Sequence, residues 1–200
     1  MRIVVVTETL STGGAETFVL RLASALQAAG KDVFIFVLRG EHINLAMVSR
    51  MAAGGQLSTV RVPLLAWVLK LDGVLFRMGV NFSLLRWMQV RQLRRFLATA
   101  RPNVVHAHLL TADLVSARAC AAAGIPWVST MHGDYLAMEP KGSSHAARIP
   151  DFVAACRKVE QSVAHMVCIT DPQVQQLQRL MPSLAADGRI SKIYNGYAAN

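Results

Sequence analysis

Hydrophobic residues along this chain come in short, nearly continuous, β-branched blocks rather than in polar–apolar alternation. Residues 3–6, 33–38, 104–106, 127–131, 166–169 and 190–194 each fit a strand covered on both faces, the pattern of a parallel sheet. Residues 57–62 form a weaker candidate. Between the blocks, apolar positions recur at helical spacing. Residues 15–29 put Phe18, Leu22, Leu26 and Ala29 on one stripe and then meet Gly30 as a stop. Residues 109–123 end at Gly124 with Pro126 just beyond, and residues 150–164 carry a proline in the first turn. Asp171 followed by Pro172 opens a further helix as N-cap and first helical residue. Strand and helix alternate without an internal repeat. The expectation is an α/β fold: a doubly wound, Rossmann-like parallel sheet with right-handed crossovers, spanning residues 1–200 as one domain. Residues 134–144, with Pro140, Gly142, Ser143 and Ser144, read as its long loop.

Composition agrees. At 53% hydrophobic and 16% charged residues the chain can fill a large core, which excludes intrinsic disorder. The most apolar stretch, 62–80, is broken by Lys70, Asp72 and Arg77, short of the run of about 20 residues that a membrane-spanning helix needs. The N-terminus is expected to enter a strand at once, without a secretion signal. Cys120, Cys156 and Cys168 are few and far apart, as buried thiols in a reducing cytoplasm would be.

Charge changes the picture more. Of the net charge of +9, +7 falls within residues 61–101, which hold eight basic groups against the single acid Asp72. The remainder is near neutral, so a nucleic-acid-binding protein is not expected. On a helical wheel, residues 82–101 place Phe82, Leu85, Val90, Leu93, Phe96 and Leu97 on one face, expected to pack on the sheet. The other face carries Arg91, Arg94 and Arg95 among Leu84, Trp87 and Met88. Apolar groups among outward arginines suit an anionic membrane surface, with Trp87 at the interface and Arg91, Arg94 and Arg95 on headgroups. Leu64, Leu65, Trp67, Val68, Leu75 and Phe76 add apolar surface upstream. The expected location is cytoplasmic, peripheral on the inner face of the membrane.

Candidate chemistry gathers at the carboxyl ends of the strands, where doubly wound folds bind ligands. After the first strand come Gly13 and Gly14. They either make a tight turn or leave backbone amides free for a phosphate at a helix N-terminus. The pattern is neither a Gly-x-Gly-x-x-Gly nor a Walker loop. His106 and His108 point to the same side of their strand. His108 reads as a crevice residue or a core imidazole, and a metal site lacks a third ligand nearby. His132 ends the next strand beside Gly133 and Asp134, where an imidazole orients or polarises a hydroxyl or merely bonds backbone. Asn195-Gly196 follows the last strand as a turn dipeptide.

Taken together and in order, five pieces resemble the N-terminal domain of the family-4 retaining glycosyltransferases, which have the two-domain GT-B architecture. They are Gly13-Gly14-Ala15-Glu16, Arg101 to His108, Thr130-Met131-His132, Val167 to Thr170, and Ile193 to Gly196. The resemblance implies an acceptor-binding half-enzyme, inactive alone, whose donor-binding C-terminal domain lies outside this chain. It implies a nucleotide-sugar donor as substrate, no cofactor or metal, and a glycan, lipid-linked or lipopolysaccharide-precursor acceptor. It assigns His132 as the catalytic candidate. Gly13 and Gly14 fall near the donor diphosphate, Glu16 supports their loop, and His108, Asp134 and Asn195 belong to the donor or acceptor surface. The alternatives are a non-catalytic sugar- or nucleotide-binding module and a GT-B nucleotide-sugar epimerase. The latter needs Glu8 or Asp134 to move a proton.

Overall fold

The computed structural model describes residues 1–51, 56–135, 152–194 and 196. Its elements run β1 (Arg2–Thr7), α1 (Gly14–Ala28), β2 (Asp32–Val37), α2 (Leu45–Met51), β3 (Gln56–Thr59), α3 (Leu65–Arg77), α4 (Leu84–Ala100), β4 (Val104–His108), α5 (Leu110–Ala123), β5 (Trp127–Met131), α6 (Phe152–Ser162), β6 (His165–Cys168), α7 (Asp171–Leu180), α8 (Pro182–Ala186) and β7 (Ile190–Lys192). The described strands form one parallel sheet in the order β3-β2-β1-β4-β5-β6-β7. The order reverses between β1 and β4. There the connections leave to opposite sides and a crevice opens above the strand ends.

Alternation along β1 shows how the two faces are filled. Ile3 and Val5 join Val19, Leu20 and Ala23 of α1 in one cluster. Val4 and Val6 join Leu93 and Leu97 of α4, together with α5, α6 and α7, in the larger one. Helices α1 and α4 therefore cover opposite faces of the sheet. The stripe of α1 differs from the sequence expectation. The fully buried positions are Val19, Leu20 and Ala23, while Phe18 and Leu22 line an open pocket. Burial on both faces holds for β1 and for most of β2. It fails across β4, β5 and β6, where His106, Val128, His165 and Val167 are only half-buried. No described helix is seated on that part of the α1 side.

Several ends differ from the sequence pattern. Strand β4 continues two residues past 106 to His108, because Ala107 and His108 pair with β1 and β5. Strand β7 stops at Lys192; Ile193 and Tyr194 are exposed. The weak candidate at 57–62 is an edge strand over Gln56–Thr59. Helix α3 goes beyond the sequence expectation, since its apolar residues mark no single inner face. Phe82 is exposed rather than packed on the sheet, because it precedes the N-cap Ser83, whose hydroxyl accepts from Arg86 N at 3.2 Å. Of the loop expected at 134–144, only Asp134 and Tyr135 fall among the described residues.

Candidate functional site

The loop after β1 is held from within. Glu16, in the first turn of α1, accepts hydrogen bonds from Thr9 Oγ1 at 2.8 Å and Ser11 Oγ at 3.2 Å. Thr17 Oγ1 donates to Gly13 O at 2.8 Å. These bonds fix Gly13 as the N-cap of a 15-residue helix with no side-chain cap of its own. The amides of the first turn thus keep unused donor capacity at the positive end of the helix dipole. A Cβ on Gly13 would collide with Glu16 Oε2, whereas one on Gly14 would meet only open space. Gly13→Ala is therefore expected to cost about 1–2 kcal/mol by displacing Glu16 from Thr9 and Ser11, and Gly14→Ala less than about 0.5 kcal/mol. Thermal or urea unfolding measures both. In a Glu16→Ala background the Gly13→Ala cost should disappear; persistence of the cost there would show that the loop is not held through Glu16.

Gly13, Gly14, Phe18, Arg21, His132 and Gly196 line a common open pocket of about 610 Å³, completed by Thr12, Ala15, Thr17, Leu22, Ala25 and Ile169. The turns of α1 supply Gly14, Phe18, Arg21 and Ala25, one face of the helix at steps of four, three and four residues. Arg21 was missed by sequence reasoning. Its signal was its helical spacing from Gly14, which assigns it to the pocket face as soon as the pocket's side of α1 is known.

His132 lies one residue beyond β5. Its Nε2 is 2.9 Å from His108 Nδ1, and its ring stands 4.9 Å from Phe18. His106 lies against His108 at 4.3 Å between ring centres and bonds Thr130 Oγ1 through Nε2 at 2.8 Å. The register explains the column: His108 pairs with Thr130 across β4 and β5, and alternation returns His106, His108 and His132 to the α1 side. Burial is the main cause holding all three imidazoles neutral. It takes His106 and His132 down to about 4 and His108 well below its ordinary value. His108 is wholly buried behind His132, with no partner for its Nε2 among the described residues. It supports His132 and does not line the pocket.

The remaining candidates separate. Asp134 accepts from Gln176 Nε2 of α7, and Tyr135 N donates to Gln176 Oε1 at 3.0 Å. Tyr135 also donates its hydroxyl to Asp113, a buried carboxyl on α5 pushed up to about 7 by burial. These bonds pin the segment after His132, and Asp134 is not part of the pocket lining. Asn195 lies outside the described residues, between Tyr194 and pocket-lining Gly196. Trp87, Arg91, Arg94 and Arg95 are exposed on α4, on the other face of the sheet, and line a separate shallow groove with Val90 and Ala98. Among the described residues no three His, Cys, Asp or Glu side chains are grouped to hold a metal ion.

A doubly wound parallel sheet with a pocket at its strand ends, walled by a helix N-terminus, defines a ligand-binding domain. The family model for Glycosyltransferase Family 4 matches residues 12–199, and the chain belongs to that family. No curated protein matches it in sequence. Among solved structures it is similar to the apo form of the lipopolysaccharide outer core galactosyltransferase WaaB, with TM-score 0.68 and 16% identity over 99% of this chain and 46% of that one. It is similar to HepE of Anabaena in complex with UDP-glucose, with TM-score 0.61 and 14% identity over 98% and 44%. It is also similar to the UDP-GlcNAc 2-epimerase of Methanocaldococcus jannaschii, with TM-score 0.60 and 10% identity over 96% and 45%. At these identities the likeness is one of fold. The chain spans less than half the length of each, which makes it the N-terminal-like half of a GT-B architecture.

Proposed function

We propose that this chain is the acceptor-side half of a retaining glycosyltransferase. The enzyme moves a sugar from a nucleotide-sugar donor to a hydroxyl of a membrane-associated glycan, a lipid-linked acceptor or a lipopolysaccharide precursor. The observation that carries the reading is the shared pocket of Gly13, Gly14 and His132. In transfer, the bond from the anomeric carbon to the diphosphate oxygen breaks and the diphosphate leaves with the electron pair. The acceptor oxygen bonds to the same carbon and passes its proton to the departing diphosphate oxygen. Negative charge thus grows on the diphosphate, and first-turn amides of α1 are fixed donors for it.

His132 faces the same space with a pKa of about 4. Such an imidazole is a weak base and is not a cation at neutral pH. Its part is to hydrogen-bond and orient a sugar hydroxyl, with His108 fixing its ring. The epimerase alternative needs a proton-moving carboxyl here. Neither Glu8, a half-buried carboxyl, nor Asp134, held by Gln176, lines the pocket.

The test uses the full-length protein with a panel of nucleotide sugars, reading nucleotide release and the anomeric configuration of the product by NMR. Transfer with retention is expected, and none from residues 1–200 alone. An inverted product removes the retaining assignment, and turnover by the 200-residue chain removes the half-enzyme one.

A further inference from the structure

Helix α3 is apolar on nearly every side, the composition of a buried helix, yet it is not buried. Its inner side sends Val68 into the domain. Its outer side carries Trp67, Leu71 and Val74, and its caps Leu64 and Met78 extend the row at each end, at steps of three, four, three and four residues. All five are exposed, Leu64 at 75%, Trp67 at 68% and Met78 at 71%. This is one straight stripe of large apolar side chains on the molecular surface, continued by Val80 and Phe82 in the turn to α4. Isolated exposed leucines need no explanation; an unbroken stripe of this size does.

Charge identifies what covers it. Lys70 and Arg77, seven residues apart, run alongside the stripe, and Arg91, Arg94 and Arg95 project from neighbouring α4. The only acid of the segment, Asp72, is turned inward. Its carboxylate accepts from Ser83 Oγ at 2.7 Å, Leu84 N at 2.7 Å and Leu85 N at 3.1 Å, closing the N-terminus of α4. The outer surface therefore presents apolar groups and cations. Each helix also sets a cation over an exposed indole, Lys70 over Trp67 at 5.1 Å and Arg91 over Trp87 at 5.5 Å. An apolar stripe without directional polar groups, edged by tryptophan and cations, matches the boundary between acyl chains and anionic headgroups.

We propose that α3 lies in the surface of an anionic lipid bilayer, with its Leu64–Met78 stripe among the acyl chains and the cations of α3 and α4 on headgroup phosphates. This moves the inserted element from α4, where the sequence pointed, to α3. Val68 faces inward, Leu65, Leu75 and Phe76 are half-buried, and Trp87 takes the edge of the contact. The proposal extends the membrane-associated acceptor reading but is tested without donor or acceptor, so either can fail alone.

The experiment is sedimentation of the 200-residue chain with phosphatidylcholine vesicles, with and without phosphatidylglycerol. Binding is expected only with the anionic lipid, weakening about tenfold or more as salt rises to about 1 M, where the screening length falls to about 3 Å. Trp67 and Trp87 fluorescence should shift to the blue, while Trp127, 1% exposed, should not change. Leu71→Glu and Met78→Glu, both at exposed positions, should each reduce binding about tenfold with the unfolding midpoint unchanged. Arg94→Glu with Arg95→Glu should abolish the preference for phosphatidylglycerol. Equal binding to both vesicle types, binding to neither, or a dimer by light scattering that Leu71→Glu dissociates would each overturn it, the last assigning the stripe to a second copy of the chain.

Discussion

Replacing His132 by Ala in the full-length enzyme is expected to lower turnover about 10²–10³-fold, the size of effect seen when one fixed polar contact at a reacting centre is lost. The imidazole is fixed by three neighbours. His108 bonds it, Phe18 packs against it, and the segment that follows it is tied to α7 and α5 through Gln176 and Asp113. A group held this firmly orients a substrate at small entropic cost. Because its pKa is about 4, the loss should be nearly independent of pH between 6 and 8, unlike the loss of a general base. Steady-state kinetics on both sides of pH 7 read this. A loss confined to KM, or one that varies with pH as an imidazole titrates, would remove the orienting role. The substitution also strands His108 Nδ1, a buried polar atom, at a cost of about 1–3 kcal/mol. The melting temperature of the variant must be measured beside its turnover, so that a folding defect is not read as a catalytic one.

Stability should fall as pH is lowered from 6.5 to 5, and substituting Asp113 by Asn should steepen the fall. His106 and His132 titrate near 4 in the folded chain against about 6.5 when exposed, and His108 lies well below that value. Below pH 6.5 the unfolded chain takes up protons that the folded one refuses, so the imidazoles oppose folding increasingly until the folded sites also protonate. Asp113 acts the other way. Its folded value of about 7 lies above the ordinary 3.8, so the folded chain binds that proton more tightly and gains stability as pH falls from 7 towards 4. Three imidazoles outweigh one carboxyl. With Asn at 113 the opposition vanishes while an acceptor for Tyr135 is kept. A loss of about 2 kcal/mol or more between pH 6.5 and 5 is then expected, at about 1.4 kcal/mol for each tenfold difference in proton affinity between the folded and unfolded chains. The parent should lose visibly less over the same range. Urea titrations at fixed pH steps measure both, and a flat profile for Asp113→Asn would show that the histidine column is not buried as described.

The fold was legible because a parallel sheet writes itself locally. β-branched blocks bounded by Gly, Pro and Asp at helix ends set the strands of residues 3–6, 33–38 and 127–131 without knowledge of their neighbours. The site was legible to the extent that strand ends are. Gly13, Gly14 and His132 stand at two of them, and they share one pocket. Their roles were not legible, because a glycine pair makes turns as readily as phosphate cradles, and because His108 and His132 differ only by burial. Asp134 has a strand-end position as well, and its carboxylate is taken up by Gln176 of α7, outside the pocket lining.

Sequence by itself determined the alternation of strand and helix apart from α2, α3 and α8, the sheet type, the family resemblance and the concentration of positive charge in residues 61–101. All of these rest on neighbours along the chain. Tertiary structure alone decided which apolar residues remain outside. Periodicity shows that α3 can offer a stripe on any side; the packing of Val68 and the inward turn of Asp72 choose the side that faces solvent. It also decided the charge state of the histidine column. An imidazole's pKa follows from the water and the charges around it in space. For His106 and His108 those surroundings include Thr130 and His132, each 24 residues further along the chain and brought within hydrogen-bonding distance by the sheet.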